Sequence, residues 1–214
     1  MITITQKHLT KGHRVRPGTK LNVKYITLHS TGNPTSVADS ERRWLDNPEN
    51  KREASWHYCL DQKECIEAIP PTEVAWHAGL GNSISIGVEI CESGNREKTL
   101  ERAAEFTAQL LKEYGLGVEA LRRHYDWTNK SCPSIMMANN WAGWEAFKNR
   151  VQKYLNLHNK TSINIEVDGK IMEFDGLIID GRTYVQLREL SEKTGYFKVE
   201  YDKIPKIKNI KHFD

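Results

Sequence analysis

What this sequence lacks rules out several classes of protein before any motif is considered. None of its apolar runs approaches the roughly 20 residues that an α-helix needs to cross a bilayer. Its opening, MITITQKHLT, has no basic segment followed by an apolar one, so no secretory signal is expected. Cysteine is scarce: Cys59, Cys65, Cys91 and Cys132 are too few and too unevenly placed to staple a chain of 214 residues. The first three are expected as buried free thiols, with Cys59 and Cys65 flanking a hairpin turn across which they could face each other. A dominant charge is missing too. With 31 basic and 28 acidic side chains the formal charge is only +3, a mild attraction to acidic polymers that names no partner.

What is present suffices for a packed core. Hydrophobic residues make up 38% of the chain, and the length suits one medium domain followed by a small one. Met1 to Thr5 alternates as a short edge strand, and Lys24 to His29 reads as a central strand. Ser36 to Leu45 has helical spacing, with Ser36 as its expected cap. Ser55 to Leu60 and Glu64 to Ile69 form a hairpin pattern around Asp61, Gln62 and Lys63, and Ile84 to Cys91 is a further strand. The clearest helix is Glu97 to Tyr114, with Gly115 placed to end it. A second packing helix covers Trp141 to Leu155. The expected class is α/β, a central mixed β-sheet flanked by helices, over residues 1–156.

Asn156 to Ser162 loses this pattern and reads as a linker, put at residues 157–162. From Ile163 to Asp214 the texture is that of a small α+β domain. INIEV, IMEF, LIID and GRTYV suggest two short hairpins turning at Asp168-Gly169 and Asp180-Gly181. A helix over Gln186 to Thr194, a last strand over Phe197 to Tyr201 and a loosely held basic tail from Lys203 complete it.

The chemistry gathers in Leu121 to Pro133, LRRHYDWTNKSCP, where His124, Lys130 and Cys132 share a polar run without apolar periodicity. One His and one Cys eight residues apart make a poor zinc signature unless a third ligand comes from afar. His29, at the mouth of the Lys24 to His29 strand, is the best donor. Two imidazoles and a thiolate would hold one zinc ion and leave its fourth position to water, the arrangement of a hydrolytic site. Glu89 sits in a strand that otherwise excludes charge, so it is paired, solvated or placed for use; as a base it would take the proton from water. Lys130 would stabilise the oxyanion. A structural zinc site would instead need a fourth protein ligand, with Cys91 and His77 the nearest choices.

YITLHST around His29, SWHYCLD around His57, VAWHAG around His77, SIGVEIC around Glu89 and HYDWTNKSCP around His124 to Cys132 resemble, in the same order, the zinc-dependent N-acetylmuramoyl-L-alanine amidases of the type-2 family. That family includes phage endolysins, bacterial autolysins and peptidoglycan recognition proteins, and the resemblance covers about Lys20 to Leu155. It implies hydrolysis of the amide between N-acetylmuramic acid and the L-alanine of the stem peptide, with cell-wall peptidoglycan as partner and no nucleic acid or membrane. By resemblance His29, His124 and Cys132 are the ligands of one Zn2+, Glu89 is the catalytic base and Lys130 stabilises the intermediate. His77 matches a pocket residue beside the peptide. Some phage-type members carry a tyrosine where Trp56 stands, so Trp56 is assigned no catalytic part; with His57 and Trp76 it is read as a wall of the groove for peptide and sugar.

The endolysin likeness, with no signal peptide, implies synthesis in the bacterial cytoplasm and action on the wall after release through a membrane pore or by non-standard export. A recognition protein that binds peptidoglycan without cleaving it is the alternative, although such members usually lose the Cys ligand that is present here. The second domain resembles small stalk-like repeats of clostridial-type surface proteins, which implies wall attachment or self-association.

Overall fold

Period-two alternation around His29 sets the layers of the fold. Ile26 and Leu28 point to one side of their strand and Thr27 and His29 to the other, so one strand serves a core and a cleft at once. The computed structural model describes residues 1–158, 161–179, 182–196, 198–201 and 205–208. It comprises two compact units, Met1–Leu155 and Asn156–Asp214.

In the first unit the elements run β1 (Thr5–Gln6), β2 (Tyr25–Ser30), α1 (Ala38–Asp46), β3 (Tyr58–Leu60), β4 (Cys65–Glu67), β5 (Ser85–Ile90), α2 (Arg96–Glu113), β6 (Leu121–Arg123), α3 (His124–Thr128) and α4 (Ala138–His158). The strands form one mixed sheet in the order β1-β4-β3-β5-β2-β6. β3, β5, β2 and β6 are mutually parallel, whereas β3 and β4 form an antiparallel hairpin. Ile26, Leu28, Tyr58, Leu60, Ile86, Val88 and Ile90 pack with Phe106 and Leu110 of α2 and Phe147 and Val151 of α4. On the opposite face Cys59, Ile66, Ala68 and Cys91 pack with Ala38 and Leu45 of α1. Among the described residues no helix is long and apolar enough to cross a membrane.

Several expected boundaries shift for identifiable reasons. Ser36 does not cap α1: its hydroxyl donates to the Asn33 carbonyl and accepts the Glu92 amide. The first turn is held instead by Asp61, whose Oδ2 accepts the Ala38 amide at 3.0 Å while its Oδ1 accepts the amides of Lys63 and Glu64 in the hairpin turn. That long-range cap has no local sequence signal. Leu121 to Arg123 is a strand after all, because the β2 edge is there to pair with it. α4 opens at Ala138, but Asn139, Asn140 and Trp141 have left-handed backbone, so the regular helix follows Trp141, close to its expected start. It runs on to His158, and β7 starts at Thr161, so most of the expected linker is regular structure; Asn159 and Lys160 lie outside the described residues.

Cys59 and Cys65 do not meet. The hairpin register pairs Cys59 with Ile66 and Leu60 with Cys65, which sends the two thiols to opposite faces of the sheet. All four cysteines are free, and Cys59 Sγ lies 3.5 Å from Cys91 Sγ instead.

The second unit contains β7 (Thr161–Val167), β8 (Lys170–Ile179), β9 (Arg182–Val185), α5 (Leu187–Thr194), β10 (Lys198–Tyr201) and β11 (Pro205–Lys208). IMEF and the LII of LIID are not separate strands: they are continuous in β8, which pairs with β7 on one side and β9 on the other. Gly176 permits this, since a Cβ there would lie 2.6 Å from the Tyr184 carbonyl oxygen. The Asp168-Gly169 turn forms as expected, with both residues at positive φ, whereas Asp180-Gly181 and Phe197 lie outside the described residues. Part of the tail expected to be loose pairs as β11 with β10.

Candidate metal centre and active-site cleft

Three parallel strands deliver the site from their carboxyl ends, the edge at which open α/β sheets generally bind ligands. His29 is the penultimate residue of β2, Glu89 stands opposite it on β5, and His124 follows the last residue of β6. Cys132 is brought back to them by α3. Arg123 starts that single turn: its amide donates to Asp126 Oδ2 at 2.7 Å, and its guanidinium lies 4.3 Å from the Trp141 ring. Asn129 then reverses the chain in the left-handed conformation, where Asn is one of the better tolerated residues. The Tyr125 amide donates to the Cys132 carbonyl at 3.0 Å, and the Ser134 amide donates to Ser30 Oγ at 3.0 Å. The first bond ties the Cys132 segment back to the start of α3, and the second ties it to the mouth of β2.

The result is a three-donor cluster. His124 Nδ1 lies 3.0 Å and Cys132 Sγ 3.7 Å from His29 Nδ1, and the three donor atoms fall within 4.8 Å of one another. A tetrahedral zinc with bonds of about 2.0–2.1 Å to nitrogen and about 2.3 Å to sulfur needs N···N edges of roughly 3.3 Å and N···S edges of roughly 3.6 Å. The residues present therefore fit such an ion. Among the described residues no fourth protein donor joins the group: Cys91 packs against Cys59, and His77 Nδ1 faces the other nitrogen of His29.

Burial shapes the chemistry of every member. It lowers the His29 pKa well below its ordinary value, with His77, His124 and Lys130 adding to the effect, and it lowers His124 to about 4, so both imidazoles are neutral at pH 7. Burial pushes the Cys132 thiol up to about 12, which leaves it protonated until a cation arrives. Glu89 is raised to about 8, first by burial and then by Glu41, with Lys130 opposing. Its Oε1 lies 3.9 Å from His29 Nδ1, and its buried Oε2 has no hydrogen-bond partner. Lys130 is exposed and lines the same cleft, a cavity of about 840 Å³.

The predicted groove residues divide. Trp76 is half-buried and lines the cleft. Trp56 also lines it, buried and stacked on Trp44 at 5.7 Å, with its indole nitrogen unpartnered. His77 reaches the cleft but uses both ring nitrogens inside the protein. His57 offers a ligand nothing: it is fully buried, its Nε2 donates to the Glu73 carbonyl at 2.8 Å and its Nδ1 accepts the Gly87 amide at 2.8 Å. Two residues that sequence reasoning missed, Glu41 and Trp44, line the cleft from α1. Glu41 lies three residues after Ala38 and four before Leu45, both buried in α1, so a charge near the buried face of that helix was the available signal.

His57→Phe is expected to destabilise the protein by about 2–4 kcal/mol, because an amide and a carbonyl lose their partner in the interior. Burial holds His57 at about 4, below its ordinary 6.5. Its contribution is therefore complete above pH 6.5 and is lost as pH falls toward 4, and the variant should show a flatter decline over that window. Denaturant unfolding at several pH values measures this; equal stability of the two proteins would disprove the structural role.

The sequence profile described as N-acetylmuramoyl-L-alanine amidase matches residues 19–135, more than half of the chain and all of the cluster. The chain belongs to that amidase family. Relatives include the N-acetylmuramoyl-L-alanine amidases CwlA and XlyB of Bacillus subtilis (strain 168). CwlA is 42% identical over 55% of this chain and 46% of its own, and XlyB 37% identical over 64% and 44%. The chain thus spans about half the length of the curated relatives it matches. The solved catalytic domain of XlyA is 32% identical, with a TM-score of 0.65 over 70% of this chain and 99% of that one. The family resemblance thus extends to the mixed sheet flanked by helices.

Proposed function

We propose that the first unit is a zinc-dependent N-acetylmuramoyl-L-alanine amidase acting on bacterial peptidoglycan. The observation that carries this reading is the His29, His124 and Cys132 cluster at the floor of a large cleft, beside a buried carboxylate oxygen without a partner. Membership of the amidase family and the names of the Bacillus relatives support the same bond as target.

His29, His124 and Cys132 would hold the ion. Bound there, zinc supplies a Lewis acid for the amide carbonyl and lowers the pKa of its water to about 7. Glu89 would accept the proton of the attacking water at its free Oε2 and deliver it to the leaving nitrogen of L-alanine. A C–O bond forms, the C–N bond breaks, and the lactyl carboxylate and the peptide amine depart. Lys130, at the cleft wall, would set its ammonium against the developing oxyanion. Trp76 and the stacked Trp44 and Trp56 give the cleft an aromatic wall suited to peptide and sugar faces.

The decisive experiment pairs metal analysis with an assay on purified cell wall. The expected result is about one zinc per chain, release of L-alanine amino termini, loss of that release after chelation and recovery when zinc is returned. Wall cleavage that persisted in metal-free protein would exclude the mechanism, and zinc binding without any cleavage would favour a recognition protein instead.

A further inference from the structure

His77 spends both ring nitrogens on a chain of contacts that ends at the cluster. Its Nε2 lies 3.1 Å from the Ser85 carbonyl oxygen and its Nδ1 lies 3.0 Å from His29 Nε2. A carbonyl can only accept, so His77 Nε2 carries a proton. In the neutral ring Nδ1 is then an acceptor, and the proton between the two histidines belongs to His29 Nε2. A neutral His29 with a proton on Nε2 presents a bare lone pair at Nδ1, the atom facing His124 and Cys132.

The site is built to hold this ring. A Cβ at position 87 would sit 2.6 Å from His77 Cγ, so Gly87 clears the space under the imidazole. Asn82 Oδ1 accepts the amides of His77 and Ala78 at 2.8 and 2.6 Å, fixing the loop that carries it. Ser85, whose carbonyl sets the whole relay, is itself pinned, its hydroxyl donating to the Gly81 carbonyl at 2.7 Å.

We propose that His77 is a positioning residue, not a substrate contact: through its Nδ1 it selects the Nε2–H tautomer of His29 and so prepares Nδ1 as a metal donor before any ion arrives. The proposal rests on the zinc reading above for its purpose, but the tautomer itself belongs to the metal-free protein. Outer partners of this kind fix ligand orientation and basicity in many metal sites. Without the acceptor at His77, the His29 ring would bury an unpaired N–H or move its proton to Nδ1, where it blocks the donor.

Long-range proton–nitrogen correlation spectra of the full chain, labelled with nitrogen-15 in histidine and stripped of metal, test this directly. His29 and His77 are both expected as Nε2–H tautomers; a wild-type His29 protonated on Nδ1 overturns the proposal without any variant. His77→Leu should convert His29 to a mixture or to the Nδ1–H form and weaken zinc binding, read by chelator competition, by about 10–100-fold. His77→Asn keeps an acceptor oxygen near the Nδ1 position and should stay within about fivefold of wild type, separating hydrogen bonding from packing. Wild-type zinc affinity in His77→Leu would overturn the proposal. Absence of stoichiometric zinc in the wild type would instead defeat the metal reading while leaving the tautomer result to stand or fall by its own spectrum.

Discussion

Glu89→Gln is expected to keep zinc bound and to slow hydrolysis about 10²–10⁴-fold, mainly in kcat. Gln matches the carboxyl in shape, so the packing between β2 and β5 survives, but it cannot take a proton at the position of the unpartnered Oε2. A second readout separates lost chemistry from damage. In the metal-free fold Glu89 is raised from 4.5 to about 8, so the folded state holds a proton that the unfolded chain has released. The stabilising effect of that proton is full below pH 4.5 and is lost as pH rises through about 8. Metal-free Glu89→Gln should therefore be more stable than wild type near neutral pH, by on the order of 1–4 kcal/mol, with a shallower decline toward alkaline pH. An inactive but destabilised variant would point to structural injury, and a fully active one would move the base elsewhere.

Cys132→Ser should have a still larger effect, with zinc lost in micromolar competition and amide cleavage reduced by at least about 10³-fold. The substitution is close to isosteric at a buried position, so the fold is expected to remain. What disappears is the thiolate that, beside two neutral imidazoles, would be the charged ligand of the ion. Because burial raises this thiol to about 12, zinc uptake at pH 7 must expel its proton, and affinity should strengthen as pH rises. Calorimetry in buffers of different ionisation enthalpy counts those protons: about one from Cys132, and about one more from Glu89 while pH stays below about 8. Glu89→Gln should release one fewer. A pH-independent zinc affinity would show that Cys132 is not a ligand.

Much of this candidate site was legible before any fold was known, because each candidate residue breaks a local rule. His29 closes an apolar strand, Glu89 interrupts another, and His124 and Cys132 occupy a stretch with no periodicity to hide them. Elements with a strong period were equally plain: α2 has a side-chain cap at Asn95, a stripe of buried residues and Gly115 beyond its end, all within one window of sequence. Boundaries failed where the stabilising partner lies far along the chain. Asp61 caps α1 from the β3–β4 turn, and Leu121 to Arg123 extends only because β2 offers an unpaired edge.

By itself, then, the amino-acid order determined which side chains stand out chemically and where the regular elements lie, since propensity, alternation and turn residues act over a few neighbours. Tertiary structure alone decided which nitrogens are free. His57 and His77 look alike in sequence, each following a Trp. Yet the fold ties one to backbone groups on both sides and sets the other against the back of a candidate ligand. Hydrogen-bond direction and burial depend on neighbours drawn from distant strands, and no local pattern records them.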